Sequence, residues 1–431
     1  MLATSFASIL SAGSSSGPKR PTPPLPRAWR WALLLLCVGS LAAQQAPVRF
    51  HRFPELAAEA DAARAANRLD RAARLYQQAL VLRPEWAQGW WYLGTVEYDQ
   101  NAYAQAAHAF QRLITLRPGA GTGHAMLGLC QFELGDDRGA LQHIQEGLHL
   151  GIADDPQMKR VLLYHQGVLL RRLGRIEEAQ DAFSTLCADH VENQDLDREL
   201  GLVELRLSGK TPAIPPQGEQ VIARLGQAGC LAAQSNFTEA RRAFADLASQ
   251  SPRFPHIHDA YGRFLLQMHD PEAAVKEFKQ EIQVAPREVF ARLEIAAATY
   301  RVNSAAGLPY AEQAVQLDPR QPLGHYFLGL LLVDTGHFQR AIPELQRARQ
   351  ALPDDARIYF ALGAAYAHLG KQREAAQARE VFLRLKRTAA ATASGSNVYG
   401  QQPDATQRLA NAMNARTPES AANPTDPTRH E

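Results

Sequence analysis

Residues 90–118 read WWYLGTVEYDQNAYAQAAHAFQRLITLRP. Leu93-Gly94 stands near the start, Ala106 and Phe110 lie four apart in the second half, and Pro118 closes the stretch. These landmarks return along the chain at one interval. Prolines pair at Pro84 and Pro118, Pro252 and Pro286, and Pro319 and Pro353, each pair 34 residues apart. Leu-Gly recurs at Leu127-Gly128, Leu328-Gly329 and Leu362-Gly363, and Ala-x3-aromatic at Ala72/Tyr76, Ala179/Phe183, Ala240/Phe244 and Ala274/Phe278. Fixed-period repetition of this kind predicts a solenoid, in which each unit buries its apolar face only against its neighbours. A chain of 431 residues then needs no division into several ordinary cores. Composition agrees: Ala, Leu, Gln, Arg and Glu are abundant, and all are good helix formers.

The pattern resembles the tetratricopeptide-repeat family, W-x2-L-G-x2-Y…A-x3-F…P over 34 residues, with Glu97 at the Tyr position and Tyr98 after it. The resemblance implies an all-α, right-handed superhelical solenoid of about nine helix pairs in two blocks. Small residues (Gly94, Gly128, Gly329, Gly363; Ala72, Ala106, Ala240, Ala341, Ala375) let the paired helices approach, and each proline stops a second helix. Block one is expected over residues 53–208, as four repeats and an extra amphipathic helix at 195–208 carrying Leu196, Leu200, Val203 and Leu207. A Pro-rich joint follows at 209–220, then five repeats at 221–388, then a disordered tail at 389–431. Pro309 and Pro343 are expected in the first turns of second helices, where backbone N–H groups lack partners.

Residues 1–43 read as a targeting segment. Arg27 and Arg30 precede the apolar run 31–43, which is too short for the roughly 20 residues that span a bilayer. A signal peptide ending near Ala42 or Ala43 predicts a periplasmic or secreted protein with no stable membrane insertion after cleavage. An uncleaved N-terminal anchor is the alternative. The segment carries four basic residues and no acid, leaving 42 Lys+Arg against 44 Asp+Glu, so no basic surplus points to nucleic acid.

The sequence holds no H-E-x-x-H, G-x-x-x-x-G-K-[ST] or G-x-G-x-x-G. Cys37, Cys130, Cys187 and Cys230 form no C-x-x-C pair, and the last three read as small buried packing residues. His124, His258 and His325 fall at the fourth repeat position, where each packs between helices with one nitrogen satisfied. No metal or cofactor is expected. Asn236-Phe-Thr238 matches a glycosylation acceptor but falls in a turn that favours Asn for backbone reasons.

The resemblance places the binding surface on the concave face, lined by first helices. Its fifth position reads Trp91, Ala125, Tyr164, Leu225, Asp259, Leu293, Tyr326 and Phe360, and its twelfth supplies Tyr98, Phe132 and Tyr300. Positions 5 and 9 lack the Lys and Asn of the family's carboxylate clamp, and position 6 lacks the Asn ladder of its sugar-transferase members. The expected site is an aromatic groove for a protein or peptide partner: Trp91, Tyr98, Phe132, Tyr164, Tyr300, Tyr326 and Phe360. The chain thus reads as an exported scaffold or adaptor, not an enzyme, serving envelope assembly or secretion. A non-catalytic or regulatory subunit of an enzyme complex and a self-associating solenoid are the competing readings.

Overall fold

A computed structural model describes residues 53–395, apart from 153–154, 192, 213 and 215–217. The targeting segment and residues 396–431 lie outside the described residues. The chain divides into two compact units, one ending at Leu134 and one beginning at Gly135.

The first unit contains α1 (Phe53–Ala65), α2 (Leu69–Leu82), α3 (Ala87–Asp99), α4 (Tyr103–Leu116) and α5 (Gly121–Leu134). Its core is built from Ala60, Ala72, Tyr76, Leu80, Leu93 and Val96. The second begins with α6 (Asp137–Leu150), α7 (Pro156–Arg172), α8 (Ile176–Ala188) and α9 (Gln194–Glu204). It continues with α10 (Gly218–Ala233), α11 (Phe237–Gln250), α12 (Ile257–Gln267), α13 (Pro271–Val284) and α14 (Phe290–Thr299). It ends with α15 (Ser304–Leu317), α16 (Pro322–Asp334), α17 (Phe338–Ala351), α18 (Ala356–His368) and α19 (Gln372–Gly395). These are nine helix pairs in sequence order with α9 inserted after the fourth, and the division between units falls within the third pair. Among the described residues no element is a strand.

Local chemistry fixes the helix ends. Each repeat proline stands two residues beyond a second helix, as Pro84 follows Leu82 and Pro286 follows Val284. Each turn within a pair holds one left-handed residue, with φ between 53° and 80°. Glycine fills it at Gly135, Gly174, Gly336 and Gly370, but Asn67, Asn101, Ser235, His269 and Arg301 adopt it elsewhere. Because the residue type varies, sequence pattern does not reveal this conserved geometry of the turn. Asp270 caps α13 by accepting from the Ala273 N–H at 3.2 Å, and Asp355 caps α18 by accepting from Arg357 at 2.8 Å.

The glycine at the eighth repeat position, where Leu-Gly recurs, makes room for the ring of its own repeat. A Cβ at Gly94 would lie 2.8 Å from the Phe110 ring, and Cβ atoms at Gly167 and Gly262 would lie 2.5 Å from Phe183 and Phe278. Each second-helix ring therefore sits where a first-helix side chain would otherwise project.

Several expectations change. Pro309 and Pro343 are each the sixth residue of their helices, so each removes an interior hydrogen bond instead of occupying an unpaired first turn. The extra helix stops at Glu204 because Arg206 takes a left-handed conformation, φ 55°. Residues 218–220, expected in the joint, open α10, and helix continues from 389 to Gly395, where disorder was expected. The cysteine reading holds only for Cys130, which is buried and free, with burial pushing its thiol up to about 12. Cys187 and Cys230 are joined by a disulfide, because α8 and α10 bring their Cα atoms to 5.0 Å. Their sequence separation of 43 hid that proximity from the sequence.

The segment following α9 is fastened within the second unit. Arg171, 2% exposed, donates from Nε to Glu199 at 2.6 Å and from Nη1 to the carbonyls of Leu207 and Gly209 at 3.3 and 2.9 Å. Lys210 donates to the Gly135 carbonyl at 2.9 Å and pairs with Asp137 at 3.5 Å.

Candidate functional site

The seven aromatic candidates occupy unlike environments. Trp91, Tyr164 and Phe360, all at repeat position five, lean on second-helix rings. Centroid distances are 5.7 Å to Phe110, 6.1 Å to Phe183 and 5.5 Å to Phe382. Trp91 and Tyr164 keep part of their surface open, and Phe360 is 56% exposed. Phe132 is half-buried on α5. Tyr98 is almost closed, edge-on to Tyr103 at 5.4 Å, and burial raises its phenol pKa. Tyr300 lies just past the end of α14 and packs beside the core of α16 and α18.

Tyr326 requires a correction. It has no exposed surface and cannot meet a partner directly. The cause is α16 itself, buried from Leu323 through Leu332 and packed against α14 and α18 as well as α15 and α17. The Arg357 guanidinium closes over the ring at 5.3 Å. An expected groove residue is thus a core residue.

A feature the sequence did not announce lies on the same helices of the second unit. Asp259 and Arg263 on α12 and Glu294 on α14 meet Glu177 of α8, Glu204 of α9 and Arg206. Arg206 reaches Glu177 at 3.0 Å, Asp259 at 3.8 Å and Glu294 at 3.9 Å, with its guanidinium 5.3 Å above the Phe290 ring. Arg263 pairs with Asp259 at 3.1 Å and with the Glu204 carboxylate at 3.4 Å, and also donates to the Glu204 backbone carbonyl. Burial raises the carboxyl pKa values of Glu204 and Glu294 against the opposing pull of the two guanidiniums. Each carboxylate has a guanidinium within ion-pair distance, so the charges serve one another. Such a network holds α8, α9, α12 and α14 in one arrangement, and removing a single partner would strand a buried charge. Its only advance signal was Asp259 at a position otherwise aromatic or aliphatic.

The histidines have structural work. The fourth-position side chain of six repeats bonds to the carbonyl of the proline six residues earlier. Trp90 and Tyr359 donate to Pro84 and Pro353 at 2.7 Å, and Arg292 donates to Pro286 at 2.7 Å. The Nε2 atoms of His124, His258 and His325 sit 3.0, 3.2 and 2.8 Å from the Pro118, Pro252 and Pro319 carbonyls. On the other ring nitrogen, His258 faces Glu277 at 2.7 Å and His325 faces Glu344 at 2.5 Å. Both nitrogens of these two rings are engaged, beyond the single contact expected. Among the described residues, no group of three or more His, Cys, Asp or Glu could hold a metal ion. No described helix is long and apolar enough to cross a membrane.

The family model for the tetratricopeptide repeat matches residues 57–121, 96–157 and 326–393. No curated protein matches the chain. Among solved structures, MamA from Desulfovibrio magneticus is 20% identical, with 40% of this chain and 98% of that chain covered, at a TM-score of 0.37. The Cut9–Hcn1 hetero-tetramer of the APC/C is 14% identical, with coverages of 78% and 87% and a TM-score of 0.32. The TPR2AB domain of yeast Sti1, solved as a complex with pHSP90, is 14% identical, with coverages of 78% and 98% and a TM-score of 0.27. Three stretches of this chain thus carry the tetratricopeptide repeat, and helix pairs continue in the same register between them.

Proposed function

We propose that this chain is an exported, non-catalytic scaffold that holds a protein or peptide partner on the first-helix faces of its repeats. The observation that carries the reading is the shared setting of Trp91, Tyr164 and Phe360. Each ring rests against a second-helix aromatic and still offers surface to solvent. Large aromatics held in place on one side and open on the other lose little further freedom on binding, which suits them as anchors. Phe360, more than half exposed, is the strongest of the three. Each unit offers its own face, Trp91 in the first and Tyr164 and Phe360 in the second.

Export is supported by two independent features. The run 31–43 behind Arg27 and Arg30 has the form of a cleaved signal. The Cys187–Cys230 disulfide suits an oxidising compartment, since cytosolic thiols are kept reduced.

Crosslinked affinity purification from an envelope fraction tests the reading, comparing wild type with the Trp91→Ala/Phe360→Ala double variant. The expected result is loss of the wild-type partner with unchanged helicity by circular dichroism. Equal recovery of that partner would overturn the aromatic face. N-terminal sequencing of the mature chain should begin just after Ala42 or Ala43, and a chain still starting at Met1 would remove the cleaved-signal reading.

A further inference from the structure

We propose that Cys230 is the entry sulfur for thiol–disulfide exchange, and that the cavity beside it admits the thiol that opens or closes the Cys187–Cys230 bond. The two sulfurs differ in access. Cys187 is 0% exposed, near the end of α8 beside buried Leu186, whereas Cys230 keeps part of its surface and lines an open cavity of about 470 Å³. That volume is within the range of small-molecule sites. The cavity lies between the start of α9 and the last turns of α10, with Gln194, Asp197, Gln227 and Gln234 among its walls.

The walls are largely polar. Gln227 donates to the Asp197 carboxylate at 3.0 Å, and Gln234 donates to the Cys187 carbonyl at 3.1 Å. Asp197 is the one charged group among these walls, and the other named ones are neutral carboxamides.

Exchange proceeds by attack of a thiolate on one sulfur, in line with the bond that breaks. An incoming thiolate RS⁻ bonds to the Cys230 Sγ, the Sγ–Sγ bond to Cys187 breaks, and its electron pair leaves on Cys187, which takes a proton from solvent. A second RS⁻ attacks the sulfur of R in the mixed disulfide, releasing RSSR and the Cys230 thiolate. In total two thiols are oxidised and the protein disulfide gains two electrons; run backwards, the same steps close the bond. The free thiol of Cys130 takes no part, because burial holds it protonated. The exchange site is distinct from the aromatic face, so the two proposals fail independently.

The test uses the oxidised full-length chain under native conditions. It is incubated with reduced glutathione, quenched with acid, and mapped by peptide mass spectrometry. The expected product carries glutathione on Cys230 with Cys187 as the free thiol, at least tenfold over the opposite arrangement. Glutathione mainly on Cys187, equal labelling of both, or a bond inert until denatured would each overturn the proposal. As a second readout, the Cys230 thiol of Cys187→Ser should react with DTNB at least tenfold faster than the Cys187 thiol of Cys230→Ser. Equal rates, with both variants folded by circular dichroism, would overturn it too. A parallel arm with a Cys-x-x-Cys dithiol protein separates the source of the thiol: faster exchange than with glutathione assigns a protein donor, and slower exchange a small one. Either order supports entry at Cys230.

Discussion

Glycine is used against side chains inside the repeats and against backbone where α9 crosses α10. At Gly94, Gly167 and Gly262 an added Cβ would meet a phenylalanine ring at 2.5–2.8 Å. At Gly201 it would meet the Ile222 carbonyl oxygen at 1.9 Å, and at Gly226 the Asp197 carbonyl oxygen at 1.7 Å. A ring can tilt by a few tenths of an ångström, whereas a helix backbone must move as a body. The repeats therefore absorb errors one side chain at a time. The inserted helix is seated by two glycines and has no such slack.

Gly226→Ala should consequently produce the largest effect. Relief requires α9 to move away from α10, which disturbs the packing of Leu200, Leu202 and Ile222. The expected loss is about 4 kcal/mol, beyond the usual cost of overpacking because the obstructing atom is backbone. Chemical denaturation followed by circular dichroism measures it. A midpoint within error of wild type would break the comparison at its stronger end.

Within the repeats, Gly262→Ala and Gly363→Ala should move stability in opposite directions. The first drives a methyl into the Phe278 ring, which is 0% exposed and has little room to turn, so about 2 kcal/mol should be lost. Gly363 occupies the equivalent position, but its nearest neighbour is the Ala375 carbonyl at 3.8 Å, because no phenylalanine fills its second helix there. Alanine in that helix should gain about 0.5–1 kcal/mol from the lower entropy of the unfolded chain. Thermal unfolding of the two variants gives both signs. A shared sign would mean that the ring contact does not decide the role of glycine.

The same division explains what could be read in advance. The helix pairs were legible because Leu-Gly, Ala-x3-Phe and Pro report one contact made repeatedly between residues close in sequence. The ionic network was not, because Arg206 meets Glu177, Asp259 and Glu294 across long separations and reaches them from a left-handed turn. Cys187 and Cys230 were likewise hidden by their separation and by the prolines between them. Tyr326 was misread for another reason: position five is open or closed according to how neighbouring first helices pack, and the pattern of one repeat does not contain that information.

A pH-dependent part of a small effect separates the histidine clamp from its tryptophan equivalent. Trp90 bonds to its proline carbonyl through an indole N–H that does not titrate. His258 places one nitrogen against the Pro252 carbonyl and the other against Glu277, and only the imidazolium can donate to both. The hydrogen bond to Glu277 raises its pKa above the ordinary histidine value; burial opposes this, and the charges of Glu277 and Glu281 assist it. A raised folded-state value means that the contribution is fully present below the unfolded pKa, about 6.5, and fades as pH climbs through the folded value. His258→Gln should therefore cost about 1 kcal/mol at pH 6, the net scale of one hydrogen bond, and clearly less at pH 9. Melting temperatures of wild type and variant at the two pH values give the difference directly. A gap that stays constant or widens toward pH 9 would show that the clamp at His258 works like that at Trp90, through shape and a neutral hydrogen bond alone.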